Sequence, residues 1–243
     1  MEKLIIKGGN QLHGEINCSG AKNAGLPILA SSILFNKNVK INNLPHLKDI
    51  STMLELLSSM GSEICLEESG TLTINSSNLK NPEARYELVK TMRASILVMG
   101  PLLAKYGKAK ISQPGGCNIG ARPIDFHLSG LERMGAEIKS DSKYIYLNAK
   151  KLKPIDFSFP KISVTGTENL IMASIFTSGI TNLENCAKEP EVVDLVNFLN
   201  ACGAKIEGAG TSSIMVTGIT ELHEKKWNIL PDRIEAGTYL VAG

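Results

Sequence analysis

Gln113-Pro114-Gly115-Gly116-Cys117-Asn118-Ile119-Gly120-Ala121-Arg122-Pro123 sets a cysteine beside two glycines and close to an arginine. Paired glycines let a ligand approach the backbone closely, and the polarity of the stretch predicts an accessible loop. A thiol placed there, with a guanidinium nearby, is suited to proton transfer or nucleophilic attack; an incidental surface thiol is the plainer alternative. A second polar loop, Ser19-Gly20-Ala21-Lys22-Asn23-Ala24-Gly25, opens a helix. Free N–H groups at a helix start attract anions, Lys22 adds a full charge, and Asn23 can cap the helix or hold a ligand. Arg93 stands at the start of another helix, as a surface residue or a bidentate donor to phosphate or carboxylate. Lys161 to Asn169 repeats this geometry, with hydroxyls and backbone able to hold a polar ligand or simply to cap. His13, His46, His127 and His223 form no metal-ligand spacing and read as structural or surface residues.

The elements that must position these loops recur along the chain. Met60-Gly61-Ser62-Glu63-Ile64 returns as Met134-Gly135-Ala136-Glu137-Ile138 and as Cys202-Gly203-Ala204-Lys205-Ile206, with glycine spacings of 74 and 68 residues. Ahead of each copy, apolar residues fall three and four apart: Ile50, Met53, Leu54 and Leu57; Ile124, Leu128 and Leu131; Val192, Leu195, Val196 and Leu199. Such spacing predicts an amphipathic helix, ended by a left-handed glycine. After each copy an alternating stretch, Thr71–Ile74, Tyr144–Leu147 or Ser213–Val216, predicts a half-buried strand. Upstream lie a further helix and strand: Pro27–Leu34 with Val39–Ile41, Ala94–Tyr106 with Ala109–Ile111, and Asn169–Phe176 with Thr181–Leu183. The unit is helix, strand, helix, strand pair, about 70 residues long, and three units fill roughly 22–225. Stacked units of this kind predict one α/β domain with pseudo-threefold symmetry. Residues 1–20, with strand-like Lys3–Ile6 and Gly14–Cys18, and residues 230–243, which begin a new helix, fall outside it. They read as the two ends of an unfinished second domain, the whole as a C-terminally truncated sequence.

Composition narrows the function classes. The 243 residues carry a net charge of +2, with 43% hydrophobic and 21% charged residues, an ordinary globular balance. Disorder is excluded, and a near-neutral chain offers no basic footprint for nucleic acid. No run of about 18 apolar residues predicts a membrane span, and the opening Met1–Gly9 is too short in apolar residues for a signal peptide. The five cysteines, Cys18, Cys65, Cys117, Cys186 and Cys202, are odd in number and form no C-x-x-C pair. They predict reduced thiols in a cytoplasmic protein, mostly small core residues, rather than disulfides or zinc ligands.

Taken together, the loops resemble the UDP-N-acetylglucosamine 1-carboxyvinyltransferases, or UDP-GlcNAc enolpyruvyl transferases. The runs that carry the resemblance are Gly-Ala-Lys-Asn-Ala at 20–24, Met-Arg-Ala-Ser at 92–95 and Pro-Gly-Gly-Cys-Asn-Ile-Gly-Ala-Arg-Pro-Ile-Asp at 114–125. Val-Thr-Gly-Thr-Glu-Asn at 164–169, Glu-Pro-Glu-Val-Val-Asp at 189–194 and Leu-Pro-Asp-Arg-Ile-Glu at 230–235 extend it in order along the chain. The cysteine loop separates this family from the enolpyruvylshikimate-phosphate synthases, which look similar in fold but lack it. The resemblance implies two inside-out α/β barrels, each of three βαβαββ-type repeats. The three-repeat domain would span 21–229, with 1–20 and 230–243 belonging to the second domain.

The same resemblance implies the first committed step of peptidoglycan synthesis. The enolpyruvyl group of phosphoenolpyruvate passes to the 3′-hydroxyl of UDP-N-acetylglucosamine through a tetrahedral ketal, and phosphate leaves. Cys117 would be the general acid toward carbon 3, and the site that fosfomycin alkylates. Lys22, Asn23 and Arg122 would hold phosphoenolpyruvate. Asn23, Arg93, Arg122, Pro123, Ile124, Asp125, Phe126, Lys161, Ser163 and Val164 would hold the nucleotide sugar. No metal or organic cofactor is implied. The family's second domain supplies an aspartate base and further arginines that are absent here, which predicts no turnover by this chain alone. Two other readings compete: a non-catalytic nucleotide-sugar-binding fragment, and a cysteine hydrolase with His127 as base to Cys117.

Overall fold

The computed structural model describes residues 3, 5, 7–9, 11–84, 92–112 and 124–242, with Arg93 described in its backbone alone. The first repeat contains α1 (Lys22–Ser31), continued by a 3-10 turn (Ser32–Leu34), then β1 (Val39–Asn42), α2 (Lys48–Met60), β2 (Glu63–Leu66) and β3 (Leu72–Asn75). The second contains β4 (Glu83–Ala84), a 3-10 segment (Arg93–Val98) leading into α3 (Met99–Tyr106), β5 (Lys108–Ser112), α4 (Asp125–Arg133), β6 (Glu137–Ser140) and β7 (Tyr144–Asn148). The third contains β8 (Asp156–Ser158), α5 (Val164–Ser174), β9 (Ile180–Glu184), α6 (Pro190–Ala201), β10 (Lys205–Glu207) and β11 (Ser213–Thr217). β12 (Lys226–Asn228) and α7 (Arg233–Ala242) follow.

Each repeat carries a four-stranded sheet of one pattern: β12-β1-β3-β2, β4-β5-β7-β6 and β8-β9-β11-β10. In each, the first strand pairs in parallel with the second and the rest are antiparallel. The leading strands escape a reading based on periodicity because they hold only two or three residues. The first repeat borrows its leading strand from the far end: β12 aligns Lys40 with Lys226 and Ile41 with Trp227, closing three units into a ring. Two asparagines mark the equivalence. Asn43 and Asn185 each follow the second strand of their unit in the left-handed region, at φ 58° and 56°. Each donates from Nδ2 to the carbonyl just past the leading strand, Ile229 O at 2.9 Å and Phe159 O at 2.8 Å.

One face of each sheet is buried and the other wet. Val39 and Ile41 are buried while Lys40 is exposed, and Ile145 and Leu147 are buried while Tyr146 points out. The helices therefore lie inside and the sheets outside. α1 is buried from Ala24 through Ser31 and α5 from Gly166 through Ser174, as expected of helices that are apolar on every side. Their backbones come close: a Cβ on Gly100 of α3 would collide with the Asn169 carbonyl of α5. Gly61, Gly135 and Gly203 end the second helices at φ 112°, 96° and 100°, as the repeated sequence requires.

Three sequence expectations change. Described residues between 3 and 18 form no strand, because the alternating residues of Gly14–Cys18 find no neighbour to pair with, and Leu12 and Ile16 stay exposed. Asn23 caps nothing: it is an exposed second residue of α1, whose N-cap position is Ala21. Of the four described cysteines only Cys186 and Cys202 are core residues; Cys18 is half-buried and Cys65 exposed on an outer sheet face.

Candidate active site

Contacts between helices bring their N-terminal ends to one face of the ring. His127, third in α4, meets Thr165 Oγ1, second in α5, at 3.3 Å. Thr167 of α5 accepts from Ala187 N at 3.1 Å, just ahead of α6. Arg233 binds Glu191, second in α6, through Nε–Oε1 at 3.0 Å. Two residues before Arg233 the chain pairs with the entry to α1, where Ala21 N donates to Leu230 O and Asp232 N to Ser19 O, both at 2.8 Å. Lys22, first in α1, then reaches Asp49, second in α2, at 2.9 Å. Five helices thus open toward one surface, which concentrates free N–H groups and positive dipole ends there.

That surface carries most of the described residues expected to bind substrate. Asn23, Asp125 and Lys161 are exposed on it, and Lys22, Ile124, Phe126, Ser163 and Val164 are partly buried. The His127–Thr165 contact holds the start of α4, with Ile124, Asp125 and Phe126, beside the start of α5, with Ser163 and Val164. Ser163 caps α5, its Oγ accepting from Gly166 N at 3.1 Å. Arg93 and Val164 are first residues of equivalent inner segments, as Lys22 is in the first repeat. Cys117, Arg122 and Pro123 lie outside the described residues, as does the side chain of Arg93.

The structure adds residues that the sequence did not single out. Asp49 pairs with Lys22 and sits in the first turn of α2, where a carboxylate also complements the helix dipole; its place one residue into that helix was the available signal. Asn169 is wholly buried and fully used: Oδ1 accepts from Gly100 N at 2.6 Å, while Nδ2 donates to Ile96 O at 2.9 Å and His127 Nδ1 at 3.0 Å. His127 thereby accepts at Nδ1, leaving Nε2–H toward Thr165, and burial pushes its pKa down to about 4. Both ring nitrogens have partners inside the protein, Asn169 and Thr165. Glu168 is buried with Oε1 unpartnered, and desolvation, reinforced by Glu191 and Glu189, raises its pKa well above the carboxylate range. Among the described residues no group of three His, Cys, Asp or Glu side chains is arranged to hold a metal, and no helix is long and apolar enough to cross a membrane.

Comparison with known proteins agrees with this architecture. The chain is 57% identical, along all its length, to a UDP-N-acetylglucosamine 1-carboxyvinyltransferase of Ruthia magnifica subsp. Calyptogena magnifica, and covers 58% of that protein. It is 53% identical to the protein of the same name in Coxiella burnetii (strain Dugway 5J108-111), covering 56%. The chain thus spans little more than half the length of these curated relatives. In fold it matches the enolpyruvyl transferase NikO from Streptomyces tendae with a TM-score of 0.84 at 23% identity, over 97% of this chain and 56% of that one. An EPSP synthase from Acinetobacter baumannii follows at 0.76 and 19% identity, over 94% of this chain and 52% of that one. The sequence profile described as EPSP synthase (3-phosphoshikimate 1-carboxyvinyltransferase) matches residues 6–243, so the chain belongs to the EPSP synthase family.

Proposed function

We propose that this chain forms one side of an active site that moves the enolpyruvyl group of phosphoenolpyruvate to the 3′-hydroxyl of UDP-N-acetylglucosamine. The observation that carries the reading is 57% identity, sustained over the whole chain, to a transferase of that name. Convergence of the helix N-termini supports it, because both substrates are multiply charged anions. In the reaction the 3′-hydroxyl gives up its proton to a base as its oxygen bonds to carbon 2 of phosphoenolpyruvate, and carbon 3 takes a proton. Carbon 3 then loses a proton while the C–O bond to phosphate breaks, and inorganic phosphate leaves.

Cys117 supplies the proton to carbon 3. Lys22, Asn23 and Arg122 hold phosphoenolpyruvate and offset charge as it develops. Asp49 shares the Lys22 ammonium at rest and keeps it aimed across the surface. Asn23, Arg93, Arg122 and Pro123 contact the nucleotide sugar, with Ile124, Asp125 and Phe126 at the start of α4 and Lys161, Ser163 and Val164 at the start of α5. Residues 21–229 make up the three-repeat domain, while 1–20 and 230–243 belong with a second domain that completes the site. The activity commits UDP-N-acetylglucosamine to peptidoglycan, and hence to cell growth and division, in the cytoplasm.

Fosfomycin labelling of Cys117, followed by mass spectrometry with and without UDP-N-acetylglucosamine, tests the reading. Labelling at Cys117 that quickens with the nucleotide sugar is expected. Lys22→Ala should slow it by about tenfold or more, the worth of one charge-assisted contact. Labelling indifferent to the sugar, or spread over Cys18 and Cys65, counts against the site. Phosphate release by this chain alone is expected to be nil, which separates binding by the fragment from turnover by a complete site.

A further inference from the structure

A cavity of about 350 Å³ opens at the pole opposite the helix N-termini. It lies between the last turn of α3, the start of β5, the loop after β7 and the end of α5. α5 has 11 residues, which at 1.5 Å per residue separates this cavity from the substrate face by about 15 Å. Lys105, Lys108, Lys150 and Lys151 line it, Leu152 and Phe176 supply apolar wall, and no Asp or Glu contributes.

Among the described residues, the four ammonium groups meet no carboxylate. Ion pairs among the described residues join Lys22 to Asp49, Lys40 to Glu67, Lys110 to Glu83 and Arg233 to Glu191, and include none of the four. Lys105 Nζ is part-buried and donates to Phe35 O at 2.5 Å, while Lys151 Nζ donates to Ser178 Oγ at 2.7 Å. A carbonyl orients an ammonium without neutralising it. Burial alone, with no carboxylate to offset it, pushes the Lys105 amine down to about 8. The carbonyl ends of α3 and α5 oppose an anion with roughly half a negative charge each. Four lysines outweigh that and leave the cavity cationic. Its size falls within the range of small-molecule sites, roughly 300–1,000 Å³.

We propose that this cavity is a second anion site, taking a small phosphomonoester whose phosphate meets Lys105, Lys108, Lys150 and Lys151 and whose apolar portion lies against Leu152 and Phe176. The assignment is independent of the transfer reaction, since no residue of the helix N-terminal surface lines it.

Titration of the ¹⁵N-labelled chain with inorganic phosphate and with phenyl phosphate, followed by amide shifts, tests the proposal. Saturable shifts are expected at Gly107, Lys108, Asn148 and Lys150, at concentrations that leave Gly20 and Lys22 unmoved. Phenyl phosphate should bind at least about fivefold tighter than inorganic phosphate, a difference of about 1 kcal/mol, because only it uses the apolar wall. Lys150→Gln and Lys151→Gln together change exposed side chains and spare the core; they should weaken binding about tenfold. Lys105→Met should do the same where its fold is confirmed by an unchanged amide spectrum elsewhere. Shifts confined to the helix N-terminal surface, equal affinity for the two probes, or unaltered binding by the double variant each overturn the proposal.

Discussion

Glu168 and His127 stand a turn or two from the substrate surface, both buried, and desolvation raises the carboxyl's pKa and lowers the imidazole's. For a carboxyl whose pKa is raised on folding, the stability cost is present above its unfolded value and disappears as pH falls below it. Glu168→Gln should therefore stabilise the chain at pH 7 and do so progressively less as pH falls to 4. Thermal unfolding at the two pH values measures this. For His127 the imidazole gains a proton more readily unfolded, at 6.5, than folded, at about 4. Its contribution is present above pH 6.5 and is lost as pH falls toward 4, by up to about 3 kcal/mol. His127→Gln should flatten that limb of the stability–pH curve; an unchanged acid limb would show that other groups govern it. Part of this region was legible from loop polarity, since Lys22 and Lys161 stand at the starts of α1 and α5, whereas Asp125 was named only through the family resemblance. The sequence hid the buried part, because Thr167-Glu168-Asn169 has the composition of a solvated helix cap while the fold turns Glu168 and Asn169 inward.

Among the elements, the second helices and the outer strands were legible because a single buried face writes a period of 3.6 or 2 into the residues. The leading strands were not. They are short, and their worth lies in pairing across long separations that no local pattern records. β12 shows what such a strand contributes. Trp227 packs on Phe198 with ring centroids 5.7 Å apart and donates from Nε1 to Asp194 Oδ1 at 3.2 Å. Trp227→Ala removes apolar contact and takes one hydrogen bond from a buried carboxylate that keeps its bond to the backbone of Leu230. A loss of about 2–4 kcal/mol is expected by denaturant titration, with Trp227→Phe losing less. Asn43→Ala should cost about 1 kcal/mol more than the same change at exposed Asn38, since it frees the Ile229 carbonyl and removes a left-handed asparagine.

For the whole molecule, closure of the ring ties the first sheet to the last residues of the domain. A chain ended at Glu224 should lose the protection of β1 and the order of α1, rather than shedding a harmless tail. Hydrogen exchange would register this as fast exchange at Val39–Asn42 beside retained protection in β9 and β11. Equal protection in all three sheets would show that β1 holds without its borrowed neighbour. The apolar side chains most open to water, Ile5, Leu240 and Val241, lie on the flanks, although Leu66, Ile162 and Ile180 within the repeats are exposed as well.

The paired run of Ser19–Ala21 against Leu230–Asp232, bonded in both directions, carries a mechanical consequence. The two flanks leave the ring side by side, joined by one antiparallel bridge between Gly20 and Pro231. A pull on either flank is therefore felt by both, and reaches the first turn of α1 and the end of β12 together.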